Sequence, residues 1–140
     1  MPRVYVPTVE MQRIAERVLE LRASLPPSRR AGTDVGLARA RDIANRRPLA
    51  LHTVVRMVAF FARHGAAPGS AEARQDQTSK AAQAWALWGG TPGRVWAGDI
   101  VRRARRRHRD LLARARAART DDERDRLLDE ARALLAELRG

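Results

Sequence analysis

The chain has 140 residues, a formal net charge of +12 and no cysteine, which excludes disulfides, thiolate chemistry and Cys-ligated zinc and makes polyanions its natural partners. Hydrophobic residues make up 44% of it and aromatics only 4%, a balance suited to helices packed through Ala and Leu, in one domain or in a domain of about 100 residues with an appendage. No apolar run reaches the roughly eighteen residues of a membrane span, and no basic segment followed by an apolar stretch marks a secretory signal, so neither is expected.

In chain order, Val4 to Val6 alternates like a strand, but Pro2 and Pro7 bracket it and the reading is an extended arm. Thr8 caps a first helix to about Ser24, with Met11, Ile14, Ala15, Val18 and Leu21 in one apolar stripe, and Pro26 and Pro27 end it. Ser28 to Gly32 is a basic loop carrying Arg29 and Arg30. Thr33 or Asp34 caps a second helix that runs to about Arg46, where Pro48 forbids continuation. Beyond Leu49 to Leu51, a third helix places Val54, Met57, Val58 and Phe61 on one face and His52, Arg56 and Arg63 on the other, and Gly65 stops it.

These two helices have the outline of a helix-turn-helix, whose second helix can enter a DNA major groove. His52, Thr53 and Arg56 at its start are the candidate base-reading side chains, with Arg46 and Arg47 in the turn as phosphate contacts. Pro48 stands where such turns usually have glycine and cannot supply a left-handed conformation, so the turn is a variant. Two helices meeting at an angle inside a small all-α domain is the competing reading.

Ala66 to Thr78 reads as an exposed loop with a helical turn at Ala71 to Arg74. Ser79 caps a short helix, Gly89 and Gly90 supply a left-handed stop, and Thr91 caps the next helix with Pro92 in its first turn. Trp85, Trp88 and Trp96 bracket the Gly corner; apolar neighbours favour core packing over base stacking. In the long helix that follows, Ala97, Val101, Ala104, His108, Leu111, Ala115 and Ala118 recur at alternating spacings of four and three, a heptad seam. Around the seam lie Arg102, Arg103, Arg105, Arg106, Arg107, Arg109, Arg114, Arg116 and Arg119, opposed within that segment only by Asp110. Thr120 and Glu123 form a capping box, and Asp121 and Asp122 complement the helix dipole. The last helix carries Leu127, Leu128, Leu134, Leu135 and Leu138, which either fold back on the preceding helix as an antiparallel hairpin or dock on a partner chain or a second copy.

Nothing in the chain assembles a catalytic, metal or cofactor site. His52, His64 and His108 are scattered, no phosphate-cradling Gly-rich motif or nucleophile elbow occurs, and the acids at residues 121–125 are explained by capping.

The run GTDVGLARARDIANRRPLALHTVVRMVAFFARHG, a polar loop, and then SKAAQAWALWGGTPGRVWAGDIV together resemble a small helical module of tailed bacteriophages, found alone or beside head-morphogenesis (maturation protease) segments. The resemblance covers roughly Val9 to Arg103. It departs at Ala50 and Leu51, where the module usually has a Ser-type cap, and in the loop after His64, which there is richer in Lys, Asp and Gly. It implies a protein of host cytoplasm or phage particle and no assigned enzymatic activity.

The resulting expectation is an all-α chain, with a module at 1–103 and a helical hairpin extension at 104–140. Its expected function is non-enzymatic binding of nucleic acid, DNA before RNA, through Arg29, Arg30, Arg46, Arg47, His52, Thr53, Arg56, Arg102, Arg103, Arg105, Arg106, Arg107 and Arg109. The alternative is a capsid-associated component of a phage particle docking through its C-terminal leucines.

Overall fold

A computed structural model describes residues 3–139 as an all-α protein with one two-stranded antiparallel pair. The order is β1 (Val4–Tyr5), α1 (Val9–Ser24), a 3-10 turn (Pro27–Arg29), α2 (Asp34–Ala44), β2 (Leu49–Ala50), α3 (Leu51–Ala66), α4 (Ser70–Ala73), α5 (Lys80–Leu87), α6 (Gly90–Ala117) and α7 (Asp121–Arg139).

Local chemistry accounts for most helix ends. Thr8, Thr33 and Ser79 each accept a backbone N–H of the first turn they precede, from Met11, Gly36 and Ala82, which satisfies one of the donors a helix start leaves unpaired. Thr120 does the same for Glu123 at the start of α7 (3.1 Å). Thr91 is not a cap: α6 begins one residue earlier, behind Gly89, and the Thr91 hydroxyl accepts the Trp85 indole N–H at 3.2 Å. The Gly corner is sterically required. Gly89 and Gly90 have φ of +99° and +65°, and a Cβ on Gly93 would stand 2.5 Å from the Trp88 carbonyl oxygen.

Two sequence expectations at the N-terminal half change. The start of the Val4–Val6 arm is paired, with Val4 opposite Ala50 and Tyr5 opposite Leu49, while Val6 lies outside the strand; Pro2 lies outside the described residues. The left-handed residue between α2 and α3 is Arg46, at φ +47°, not Pro48. The Arg46 N–H reaches the Ile43 carbonyl (3.0 Å) and the Arg47 N–H the Asp42 carbonyl (2.9 Å), the paired bonds of a Schellman C-cap, here without glycine. Pro48 follows the cap and leads into β2.

Helix, turn and helix therefore occur in the expected order, but α2 and α3 do not pack as a unit. Helix α2 lies against α1 and α5, whereas α3 lies against α6 and α7. Gln12 of α1 reinforces the first arrangement by donating to the Ala44 carbonyl at the end of α2 (3.0 Å).

The main core runs from Met11 and Ala15 of α1 through Val54, Met57, Phe60 and Phe61 of α3 to Ala97, Val101, Ala104, Leu111 and Ala115 of α6 and Leu127, Ala131 and Leu134 of α7. The heptad seam of α6 faces inward as its spacing predicts, with His108 half-buried. The anticipated hairpin forms, α6 and α7 sharing the most extensive helix–helix contact in the chain. The boundary drawn at 103/104 falls inside the uninterrupted α6, and core residues on both sides of it belong to one cluster.

The tryptophans are structural. Trp85 is buried with its ring edge-on to Phe61, and Trp88 stacks on Phe60, both at 4.8 Å between centroids. Arg74 of the α4–α5 segment places its guanidinium 3.8 Å above the Trp85 ring, a cation–π contact that holds this segment down.

Candidate nucleic-acid interface

The arginines of α6 divide by helix geometry. At 100° per residue, Arg102, Arg105, Arg106, Arg109 and Arg116 fall in one arc opposite the buried seam, and all are exposed. From Arg102 to Arg116 this row is about 21 Å long at 1.5 Å per residue, the length of about six phosphates on one strand of duplex DNA. Arg103 and Arg107 lie on the flank. Arg103 lines a groove with Val4 and Tyr5 of β1 and the adjoining Val6, and Arg107 pairs across the hairpin with Glu130 of α7.

Acidic neutralisation of the row is slight. Arg102 pairs with Asp99 one turn back, an exposed i, i+3 contact that yields readily to a phosphate. Arg105, Arg106, Arg109 and Arg116 have no carboxylate within ion-pair distance among the described residues. Among the described residues the acidic face of α7 thus reaches only the flank of the row, at Arg107, and its other pairs, Arg124 with Asp121 and Arg132 with Asp129, stay within α7.

The remaining basic candidates are dispersed, and several are occupied by structural bonds. Arg30 Nε donates to the Arg22 and Leu25 carbonyls (2.8 and 2.9 Å), closing the end of α1. Arg29 reaches the Thr78 hydroxyl at 3.4 Å. Arg46 donates to the Pro7 carbonyl (2.8 Å), tying the α2 cap to the start of α1, and Arg47 pairs with Asp42 at 3.3 Å. Thr53, expected to read bases, is buried on the core side of α3, because it lies in line with the buried Met57 and Phe60, four and seven residues on. His52 and Arg56 are exposed, in line with Arg63 at helical spacing.

The C-terminal leucines are consumed within the chain. Leu127 and Leu134 are buried, Leu128 and Leu138 pack at the margin of the same core, and Leu135 is half-buried. The seam expected to dock on a partner or second copy instead covers α6 and α3, where the small residues Ala104 and Ala115 leave room for its larger side chains.

One buried polar residue escapes sequence reading. Gln83 of α5 has no exposed surface; its Oε1 accepts the Ala31 N–H (2.9 Å), and its Nε2 donates to the Arg29 (3.0 Å) and Thr78 (2.9 Å) carbonyls. A glutamine inside an Ala-rich helix carries no signal of that role. It joins the loop carrying Arg29 and Arg30 to the turn before α5.

Among the described residues no cluster of His, Asp and Glu is arranged to hold a metal ion, and no helix is long and apolar enough to cross a membrane. No family model, curated protein or solved structure matches the chain.

Proposed function

We propose that this chain is a non-enzymatic nucleic-acid-binding protein that engages phosphates through the outward arginine row of α6. The observation that carries the reading is the row itself, in which Arg102, Arg105, Arg106, Arg109 and Arg116 share one exposed arc on a rigid helix anchored by the seam beneath it. Guanidinium groups so placed displace condensed counterions from a polyanion, so binding follows phosphate spacing rather than base sequence. Base reading by the start of α3 is not part of the proposal, since Thr53 is buried and α2 does not back α3.

The test is a binding curve for duplex DNA across a salt series, run with the unaltered chain and with Arg105, Arg106 and Arg109 changed to Gln. The expected result is affinity that falls steeply with salt and a shallower dependence in the variant. Salt-independent binding, or none at low salt, refutes the reading.

The motif resemblance to tailed-phage modules supports placing this activity in a phage particle or its assembly, with packaged DNA as the polyanion. Mass spectrometry of purified particles checks that placement. Docking through the C-terminal leucines loses its support because those side chains are used internally.

A further inference from the structure

A second cationic feature lies apart from the α6 row. A cleft of about 560 Å³ opens between the start of α2, the outer face of α3 and the end of α5, within the size range of small-ligand sites. Its ionisable lining residues are Arg56, Arg63 and His64, and no carboxylate lines it. Asp34, the nearest acid in sequence, follows the Thr33 cap outside the lining.

Arg56, Arg63 and His64 are set around an aromatic floor. Phe60 is buried, with Trp88 stacked on one side (4.8 Å, 16° between planes) and the His64 ring 4.3 Å away on its own helix. The Trp88 indole nitrogen lies against Gly36, where a Cβ would come within 3.5 Å of it. Arg56 and Arg63 are seven residues apart, two turns of α3, so both side chains leave the same face of the helix, and both line the cleft. The first turn of α2 forms the opposite wall. Its Gly36 N–H is taken by Thr33 (3.1 Å), which leaves the N–H groups of Asp34 and Val35 without acceptors among the described residues.

We propose that this cleft binds a phosphate group carried on a nucleotide, the oxygens held by Arg56, Arg63 and His64 and the rest of the ligand covering Val35, Ala59 and the edge of Trp88. Planar guanidinium groups match phosphate oxygens in pairs, and the apolar wall gives a nucleoside an advantage over inorganic phosphate. The phosphate is either that of a free mononucleotide or the terminal phosphate of a strand, and only the second source rests on the nucleic-acid reading above.

The full chain is titrated with adenosine monophosphate, with adenosine and inorganic phosphate as controls, and with a short single strand bearing or lacking a terminal phosphate. Calorimetry and tryptophan fluorescence report binding. Expected are one mononucleotide per chain, adenosine about tenfold or more weaker, and a further loss of about tenfold or more in Arg56→Gln/Arg63→Gln. Arg56→Lys/Arg63→Lys recovers part of the affinity, since charge returns without the planar fork. Both arginines are exposed, and an unchanged circular dichroism melt confirms folding. The Arg105, Arg106 and Arg109 variant weakens duplex binding and leaves mononucleotide binding intact, which separates failure of one proposal from failure of the other. Binding confined to the phosphorylated strand and lost in Arg56→Gln/Arg63→Gln assigns the strand as source and supports the cleft. The proposal is overturned if neither mononucleotide nor strand affinity depends on the phosphate, or if neither changes in Arg56→Gln/Arg63→Gln.

Discussion

Replacing Gln83 by Leu keeps the side-chain volume and removes three hydrogen bonds at once. The Ala31 N–H loses its acceptor in a buried setting, and an unsatisfied buried donor costs about 1–3 kcal/mol. The Arg29 and Thr78 carbonyls are partly exposed at their bonds to Gln83, so water replaces much of what they lose and each adds at most about 1 kcal/mol. The apolar transfer of the leucine offsets a fraction. The expected net destabilisation is about 3 kcal/mol, which for a chain of this length lowers the melting temperature by about 9 °C. Urea and thermal unfolding followed by circular dichroism measure it. Gln83→Glu sharpens the test: its carboxylate accepts from Ala31 but faces two carbonyls without a proton, so burial raises its folded pKa. Its stability is then greatest below the ordinary glutamate range and falls as pH rises through the raised value. A Gln83→Leu variant within about 0.5 kcal/mol of the unaltered chain, the scatter of surface substitutions, refutes the reasoning.

Changing Arg105, Arg106 and Arg109 to Gln should reduce the slope of log affinity against log salt by about 2.7, at about 0.9 per phosphate contact; an unchanged slope on duplex DNA removes the α6 row from the interface. Leu111→Ala, at a fully buried site between α6 and α7, should cost about 3 kcal/mol while unfolding remains one transition, because the core crosses residue 103 without a break; a separate early melt of the hairpin contradicts that. At the left-handed Arg46, Arg46→Gly should exceed Arg46→Ala in stability by about 1 kcal/mol, since both lose the bond to Pro7 and only glycine relieves the backbone; equal denaturation midpoints would show that no strain resides there. The Thr78 N–H and hydroxyl hold the Asp76 carboxyl below the usual range, with Arg29 adding to the effect. Its contribution is therefore present above the unfolded carboxyl pKa and lost as pH falls through the lowered one, and Asp76→Asn should flatten that part of the acid limb of a stability–pH profile.

Helix existence and most helix ends were legible because they depend on neighbours in sequence: Thr8, Thr33, Ser79 and Thr120 cap as their type and position predict. The α6 seam follows from its alternating spacing, and the arginines around it read as one group, of which only Arg102, Arg105, Arg106, Arg109 and Arg116 share the arc opposite the seam. The interface residues outside α6 were less legible, since side chains named for charge alone proved to be engaged elsewhere. Arg30 and Arg46 satisfy backbone carbonyls, and Thr53 faces the core because its position on α3 is set by where α6 and α7 lie.

By itself the sequence determined an all-α chain of strong positive charge, with the charge concentrated around the seam of one long helix, because helical phase and local capping are properties of a few adjacent residues. Tertiary structure alone decided that α2 and α3 part company, that the leucines of α7 cover their own chain, and that Gln83 bridges Ala31 and Thr78. It also decided that Arg56, Arg63 and His64 meet the start of α2 around one cleft. Each of these depends on which surfaces far apart in the chain come together to bury apolar area, and no local pattern carries that information.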